Sequence, residues 1–140
     1  MHRLKDALRP EIPKSAKAFG WILVFAGSFF AYVYMFTPAM FFPGVAIGTY
    51  SEQFGLFSTG VRILGAVLGL LLALTLNSAA LLALMLATRI FIELGDVIVG
   101  LVVNNGSPDS NTYILLVLAA VEAYFLTKLV KVLLGAGHRV

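Results

Sequence analysis

Five charged residues stand inside long apolar runs of the sequence and are its best candidates for chemistry: Arg62, Arg89, Glu93, Asp96 and Glu122. A charged side chain at the centre of a membrane helix costs about 2.5–3.5 kcal/mol on insertion scales, so such residues face one another or a wet cavity. The arginines could hold an anionic or carbonyl group, and the carboxylates could orient them or carry a proton. We therefore predict that these five residues line a binding site, and we assign no residue a catalytic role.

The spacing of the third apolar run places its charges on one helix face. Arg89, Glu93 and Asp96 follow the pattern i, i+4, i+7. With a rise of 1.5 Å per residue, Arg89 and Glu122 each lie about 15 Å into the membrane from opposite helix ends, and we expect them to meet. Two positive and three negative charges leave one carboxyl in excess, Glu93 or Glu122, and desolvation favours keeping it protonated.

Arg62 and Asp96 are expected to form a second pair nearer the outer surface, about 8 and 10 Å below the ends of their helices. Such pairs could serve a ligand, or they could simply fix helix order and register. Gly65 and Gly69 share the helix face of Arg62, and small residues there predict close approach of a neighbouring helix.

The composition of the 140-residue chain is that of a membrane protein. Hydrophobic residues make up 60% and charged residues 12%, whereas soluble domains average about 45–50% and about 25%. Four apolar runs are long enough to span a bilayer. We predict an all-α fold, an antiparallel four-transmembrane-helix bundle in a single domain 1–140, with helices at about 19–42, 57–76, 79–103 and 113–134 and a basic tail 1–18.

Turn residues separate the runs. Asn77 can end the second helix and Ser78 can cap the third. Asn111 or Thr112 is expected to cap the fourth helix. The polar, Gly-rich stretch 45–54 is expected to lie along the outer interface of the membrane.

Orientation follows from the basic residues. Lysines and arginines cluster at both ends of the chain, and the loops before the second and fourth helices contain none. The positive-inside rule therefore predicts a multi-pass protein of the plasma or inner membrane with both termini in the cytoplasm. The net charge of +3 is a topology signal, and no nucleic-acid partner is predicted.

The chain lacks the residues that several kinds of cofactor site require. The chain has no cysteine, which excludes disulfides, thiolate metal sites and thiol chemistry. The histidines, His2 and His138, lie at the termini, which makes haem ligation unfavourable. We predict no metal and no bound cofactor, with a quinone or a lipid left as a molecule that the interior could bind.

The middle of the chain resembles the DoxX-like small four-helix membrane proteins and the uncharacterised families grouped with them. The resemblance rests on the segments FSTGVRILGA, residues 57–66, and ATRIFIELGD, residues 87–96, and covers about residues 55–103. In that group an arginine early in helix two and an Arg…Gly-Asp stripe on helix three recur. The resemblance implies a four-helix bundle. It also implies an accessory subunit of quinone-linked metabolism or an assembly partner of a larger membrane protein, and the absence of cysteine argues against a thiol-linked role.

Two hypotheses for function follow. The first is a non-enzymatic accessory protein whose charged interior binds a lipid-like or small anionic ligand, or a membrane protein partner. The second is a proton-coupled small-molecule transporter that acts as a homodimer, with Glu122 carrying the proton. The sequence favours the first and leaves an enzyme formally open.

Overall fold

The computed structural model describes residues 10–40 and 50–137. This part of the chain is all-helical, with four long helices and one short 3₁₀ turn, Pro38–Met40. The long helices are α1 (Lys14–Phe36), α2 (Tyr50–Thr75), α3 (Ala79–Val103) and α4 (Ser110–Gly137). Much of the predicted tail 1–18 and interface stretch 45–54 lies outside the described residues.

Helix α2 differs most from the expectation. It begins at Tyr50 rather than near residue 57, so residues 50–54 belong to the helix and not to an interfacial segment. The rings of Tyr50 and Phe54, one helical turn apart, stack with centroids 6.3 Å apart. This i, i+4 contact stabilises a helical turn at residues 50–54 that the polar composition of the segment does not predict.

Three of the helices, α1, α2 and α4, are long and apolar enough to cross a membrane. Helix α3 has a similar length, 25 residues, but carries Arg89, Glu93 and Asp96 in its central part. All four helices expose large apolar side chains, including Phe25, Leu68, Phe91 and Val117. Apolar surface on every helix is typical of a protein whose solvent is lipid.

The turn between α2 and α3 forms as predicted. Asn77 adopts a left-handed conformation with φ 50°, which ends α2. The Ser78 hydroxyl accepts a hydrogen bond from the Leu81 N–H at 3.4 Å and so caps α3. The chain before α1 is tied to this turn, because the Pro10 carbonyl accepts from the Ala79 N–H at 3.1 Å. We call this end of the molecule the turn end, and the opposite end, with loop 104–109, the loop end.

The predicted cap of α4 is wrong: Asp109, not Asn111 or Thr112, caps this helix. Its carboxylate accepts from the Thr112 N–H at 2.8 Å and from the Thr112 hydroxyl at 2.7 Å. The Asp109 N–H in turn donates to the same hydroxyl at 3.4 Å, which makes a reciprocal capping box. These hydrogen bonds from Thr112 lower the pKa of the exposed Asp109 carboxyl.

Small residues let α1 and α2 approach closely. A methyl group added at Gly27 would lie 2.6 Å from Val67 Cγ2, and Gly60 lies against Ala31 and Met35. The interface on α2 therefore uses Gly60 and Val67.

The predicted packing role of Gly65 is wrong. Gly65 has open space around it and lies on an exposed part of α2. Gly69 does meet a neighbour, the Met85 side chain on α3. The close-packed face of α2 is thus rotated away from Gly65.

The main apolar core lies toward the turn end. It includes buried residues from all four helices, among them Ala16, Leu23, Leu70, Leu74, Leu82, Leu86 and Leu129. The rings of Phe19 on α1 and Phe125 on α4 stack beside it with centroids 4.3 Å apart. The apolar core therefore holds the helices together near the turn end, and polar contacts join them closer to the loop end.

Candidate functional site

Arg89 forms a three-residue group with Glu93 and Glu122, which we call the triad. Arg89 Nε donates to Glu122 Oε1 at 2.7 Å, and Arg89 Nη2 donates to Glu93 Oε1 at 2.8 Å. The Arg89–Glu122 contact is the one that the depth estimate predicts. Glu93, which the sequence places between the two pairs, belongs with Arg89.

Helix geometry explains the triad. Arg89 and Glu93 are four residues apart on α3, so their side chains share a face. Glu122 reaches them from α4, which packs against that face. The side chains of Arg89, Glu93 and Glu122 are only 13%, 7% and 0% exposed. The guanidinium therefore holds two carboxylates in a nearly dry setting.

Each carboxyl group of the triad keeps one oxygen unused. Glu93 Oε2 and Glu122 Oε2 are buried and have no hydrogen-bond partner among the described residues. A buried carboxylate oxygen without a hydrogen-bond partner is costly, so ionisation of both carboxyl groups would be unfavourable in this position.

Arg62 and Asp96 form the second ion pair, as the sequence predicts. Arg62 Nη2 donates to Asp96 Oδ2 at 2.9 Å and to Oδ1 at 3.2 Å. This pair joins α2 to α3 toward the loop end, about 10 Å from the last turn of α3. Its side chains are 46% and 35% exposed, so it is far more open than the triad.

Arg62 uses only part of its hydrogen-bonding capacity. A guanidinium presents five N–H donors. Those on Nε and Nη1 of Arg62 donate to no described residue. Hydrogen bonds thus join the five predicted site residues in two groups, a buried triad and an open pair, rather than in one continuous cluster.

A surface cavity of about 460 Å³ lies at the loop end, between the end of α1 and the start of α2. It is lined mainly by aromatic and apolar side chains: Tyr34, Met35, Pro38, Tyr50, Gln53, Phe54, Leu56 and Phe57. Tyr34 also interacts electrostatically with Asp96 and Arg62. Arg62 and Asp96 do not line the cavity, and Tyr34 is the lining residue that links it to the open pair.

Sequence reasoning missed this cavity. Nothing in the spacing of its aromatic residues distinguishes the wall of a cavity from an aromatic belt at the membrane surface. The one available signal is the number of aromatic residues on both sides of the α1–α2 connection.

Across residues 10–40 and 50–137, no group of three or more His, Cys, Asp or Glu side chains is arranged to hold a metal ion. Comparison with models of protein families, with curated proteins and with solved structures gives no match. The functional assignment therefore rests on the geometry of the two charged groups and the cavity.

Proposed function

We propose that this chain is a four-span integral membrane protein that binds a lipid-like molecule at its loop end and has no catalytic activity of its own. The loop end faces the outer surface, and both termini lie in the cytoplasm, in agreement with the distribution of basic residues. Arg62 binds the anionic or carbonyl group of the ligand. The apolar part of the ligand lies against the aromatic cavity.

The contacts between consecutive helices support an antiparallel bundle. On α1 and α2, Gly20 lies against Leu74 near the turn end and Ala31 against Gly60 toward the loop end. On α3 and α4, Arg89 contacts Glu122, and Thr112 is the neighbour of Gly100. A residue early in α1 thus meets one late in α2, and a residue late in α3 meets one early in α4, as antiparallel neighbours do.

Helix α3 is the proposed fourth span in spite of its charges. Its 25 residues reach about 37 Å, more than the thickness of a hydrocarbon core of about 30 Å. Each of its three charged residues, Arg89, Glu93 and Asp96, takes part in an ion pair. Pairing inside the bundle is the usual arrangement of charged residues in membrane helices.

The observation that carries the binding proposal is the open Arg62–Asp96 pair beside the cavity. In a lipid surface, a guanidinium that is 46% exposed and has unused N–H groups needs an acceptor. A carboxylate, a phosphate or a quinone carbonyl could accept a hydrogen bond from Arg62. With a carboxylate or a phosphate this hydrogen bond would also be charge-assisted and therefore stronger. The cavity volume lies within the range of about 300–1,000 Å³ that is common for small-molecule sites.

The resemblance of residues 57–66 and 87–96 to DoxX-like proteins supports an accessory role for this site. Arg62 lies in the first of these segments, and the triad residues of α3 lie in the second. On this proposal the protein presents or senses a lipid-like molecule for a larger membrane partner.

Spin-labelled lipids test the proposal. The full chain is reconstituted in liposomes, and electron paramagnetic resonance measures how much spin-labelled stearic acid is immobilised relative to spin-labelled phosphatidylcholine. We expect a preference for stearic acid that Arg62→Gln lowers roughly tenfold, since a hydrogen bond to a charged group is worth about 1.5–3 kcal/mol. The control, Lys131→Gln, removes an exposed positive charge on α4 and should keep the preference. Equal binding by wild type and Arg62→Gln refutes the proposal.

The unpartnered oxygens of Glu93 and Glu122 favour one second candidate, proton-coupled transport by a homodimer. Its test uses liposomes that contain the pH-sensitive dye pyranine and the full chain, with a pH gradient imposed across the membrane. A transporter that uses Glu122 collapses the gradient faster than protein-free liposomes, and Glu122→Gln abolishes the difference. No protein-dependent flux, or equal flux in Glu122→Gln, rejects this candidate.

A further inference from the structure

The triad contains two carboxyl groups and one guanidinium in a nearly dry interior. Arg89 donates to one oxygen of Glu93 and to one oxygen of Glu122, at 2.8 and 2.7 Å. If both carboxyl groups are ionised, the triad carries a buried net charge of −1. The Arg62–Asp96 pair is neutral, so it offers no compensation.

One oxygen of each carboxyl group remains available to a proton. Glu93 Oε2 and Glu122 Oε2 are the two buried side-chain atoms without a partner in the part of the chain that the structure describes. The two carboxyl groups bind the same guanidinium and also interact directly with each other. A protonated carboxyl is a donor, whereas an ionised one only accepts, so a single proton gives the two carboxyl groups the donor that they lack and removes the net charge of the triad.

We infer that Glu93 and Glu122 hold one proton between them, so that the triad is a neutral site for a single exchangeable proton. The inference does not depend on lipid binding at Arg62. It does not require transport either, because a proton held at the triad can serve stability alone.

Four other charged residues on the packed helices have partners elsewhere. Asp96 on α3 pairs with Arg62 on α2, and Tyr34 on α1 interacts with that pair. Toward the turn end, Lys17 on α1 donates to Asn77, and Lys128 on α4 lies over the ring of Tyr124, 4.6 Å from its centroid. These contacts leave the triad with Arg89 as the cation bonded to it among the described residues.

A proton explains the geometry better than a metal cation does. Hard cations take about six oxygen ligands, and the triad offers two unpartnered oxygens. A proton needs one donor position and one acceptor position, which is what two carboxyl groups provide.

Glutamine substitutions give the first test, because glutamine has the shape of a protonated glutamic acid. Thermal unfolding of the full chain in detergent at neutral pH compares Glu93→Gln, Glu122→Gln and the double variant. We expect each single variant to keep the wild-type Tm, because the remaining carboxylate pairs with Arg89. The double variant leaves Arg89 without a counter-ion, so its Tm should be clearly lower than that of the wild type. Glu11→Gln, at an exposed position outside the helices, is the matched control.

Infrared spectroscopy of the wild-type protein gives the second test and does not depend on any variant folding. We expect the carbonyl stretch of a protonated carboxylic acid at neutral pH, shifted by exchange into D₂O and absent from both single glutamine variants. At alkaline pH the carbonyl band of the wild type should disappear and its Tm should fall. The Tm of Glu93→Gln should be the same at alkaline and neutral pH.

Three results overturn the inference. The first is the absence of an acid carbonyl band from the wild type at neutral pH. The second is a loss of Tm in both single variants as large as in the double variant. The third is a wild-type Tm that rises with sodium at constant ionic strength, which would assign the site to a metal cation.

Discussion

The substitutions Arg89→Leu and Glu122→Leu should both destabilise the protein, and Arg89→Leu should do so more strongly. Arg89→Leu strands two buried carboxyl groups, and breaking a buried pair in this way costs about 3–5 kcal/mol. Glu122→Leu costs less, about 1.5–3 kcal/mol, because Arg89 keeps its hydrogen bond to Glu93 at 2.8 Å. The asymmetry follows from the three-residue arrangement and would be absent from an isolated pair.

The double variant Arg89→Leu/Glu122→Leu should lose less stability than the sum of the single losses. It leaves Glu93 alone, and a lone buried carboxyl group takes up a proton instead of staying charged. We expect a coupling free energy of about 1–3 kcal/mol, within the range for residues in contact. Reversible unfolding in mixed detergent and dodecyl sulfate, followed by circular dichroism, measures all four proteins.

A second cycle supplies the control. Arg89 and Arg62 belong to different ion-paired groups, so their leucine substitutions should be additive within about 0.5 kcal/mol. If Arg89 and Glu122 also prove additive, or if Glu122→Leu costs as much as Arg89→Leu, the triad as described here is refuted.

Further predictions concern packing, the cap of α4 and the open pair. Gly27→Ala should lower stability by about 1–3 kcal/mol, because the new methyl group would lie 2.6 Å from Val67, whereas Gly65→Ala should be neutral or stabilising, as thermal unfolding can measure. Because its pKa is lowered in the folded state, Asp109 should stabilise the start of α4 above the ordinary pKa of an aspartate and lose that effect as the pH falls through the lowered value. The protection factor of the Thr112 amide, which is its exchange rate measured by NMR relative to the intrinsic rate at the same pH, should fall in acid, and an unchanged protection factor would contradict the cap. Asp96→Asn should keep the preference for spin-labelled stearic acid, because Arg62 is then released from its ion pair, and loss of that preference would count against Arg62 as the binding residue.

The sequence predicts the Arg89–Glu122 and Arg62–Asp96 contacts because they depend mainly on where each helix ends and on the rise per residue. Turn residues mark the ends of α3, and the constant rise of a helix converts residue number into depth. Arg89 and Glu122 therefore fall at the same level. Arg62 and Asp96 also meet, although α2 begins at Tyr50 and the depth expected for Arg62 assumed a helix that begins near residue 57. The contact between Glu93 and Arg89 was not predicted, because the spacing puts Glu93 on the same helix face as both Arg89 and Asp96 and does not show which ion pair it joins.

The missed features depend on contacts between helices or on competing local signals. Gly65 and Gly60 are equally good packing residues in the sequence, and only the rotation of α2 against α1 decides between them. The cap of α4 was missed because four consecutive polar residues, 109–112, precede the apolar run and each of them can cap a helix. Asp109 is the cap in the structure because it forms reciprocal hydrogen bonds with Thr112. The cavity forms where α1 and α2 diverge, which no periodicity encodes.

In the proposed four-span arrangement, α3 crosses the membrane and carries its charged residues with it. The chain has no cysteine, so single cysteines placed at Leu76, next to the α2–α3 turn, and at Ser107, in loop 104–109, report on opposite ends of α3. In sealed right-side-out vesicles, a membrane-impermeant maleimide should label Ser107→Cys at once and Leu76→Cys only after the membrane is opened. Labelling of both positions from the same side would contradict the four-span arrangement and the account of the charges that depends on it.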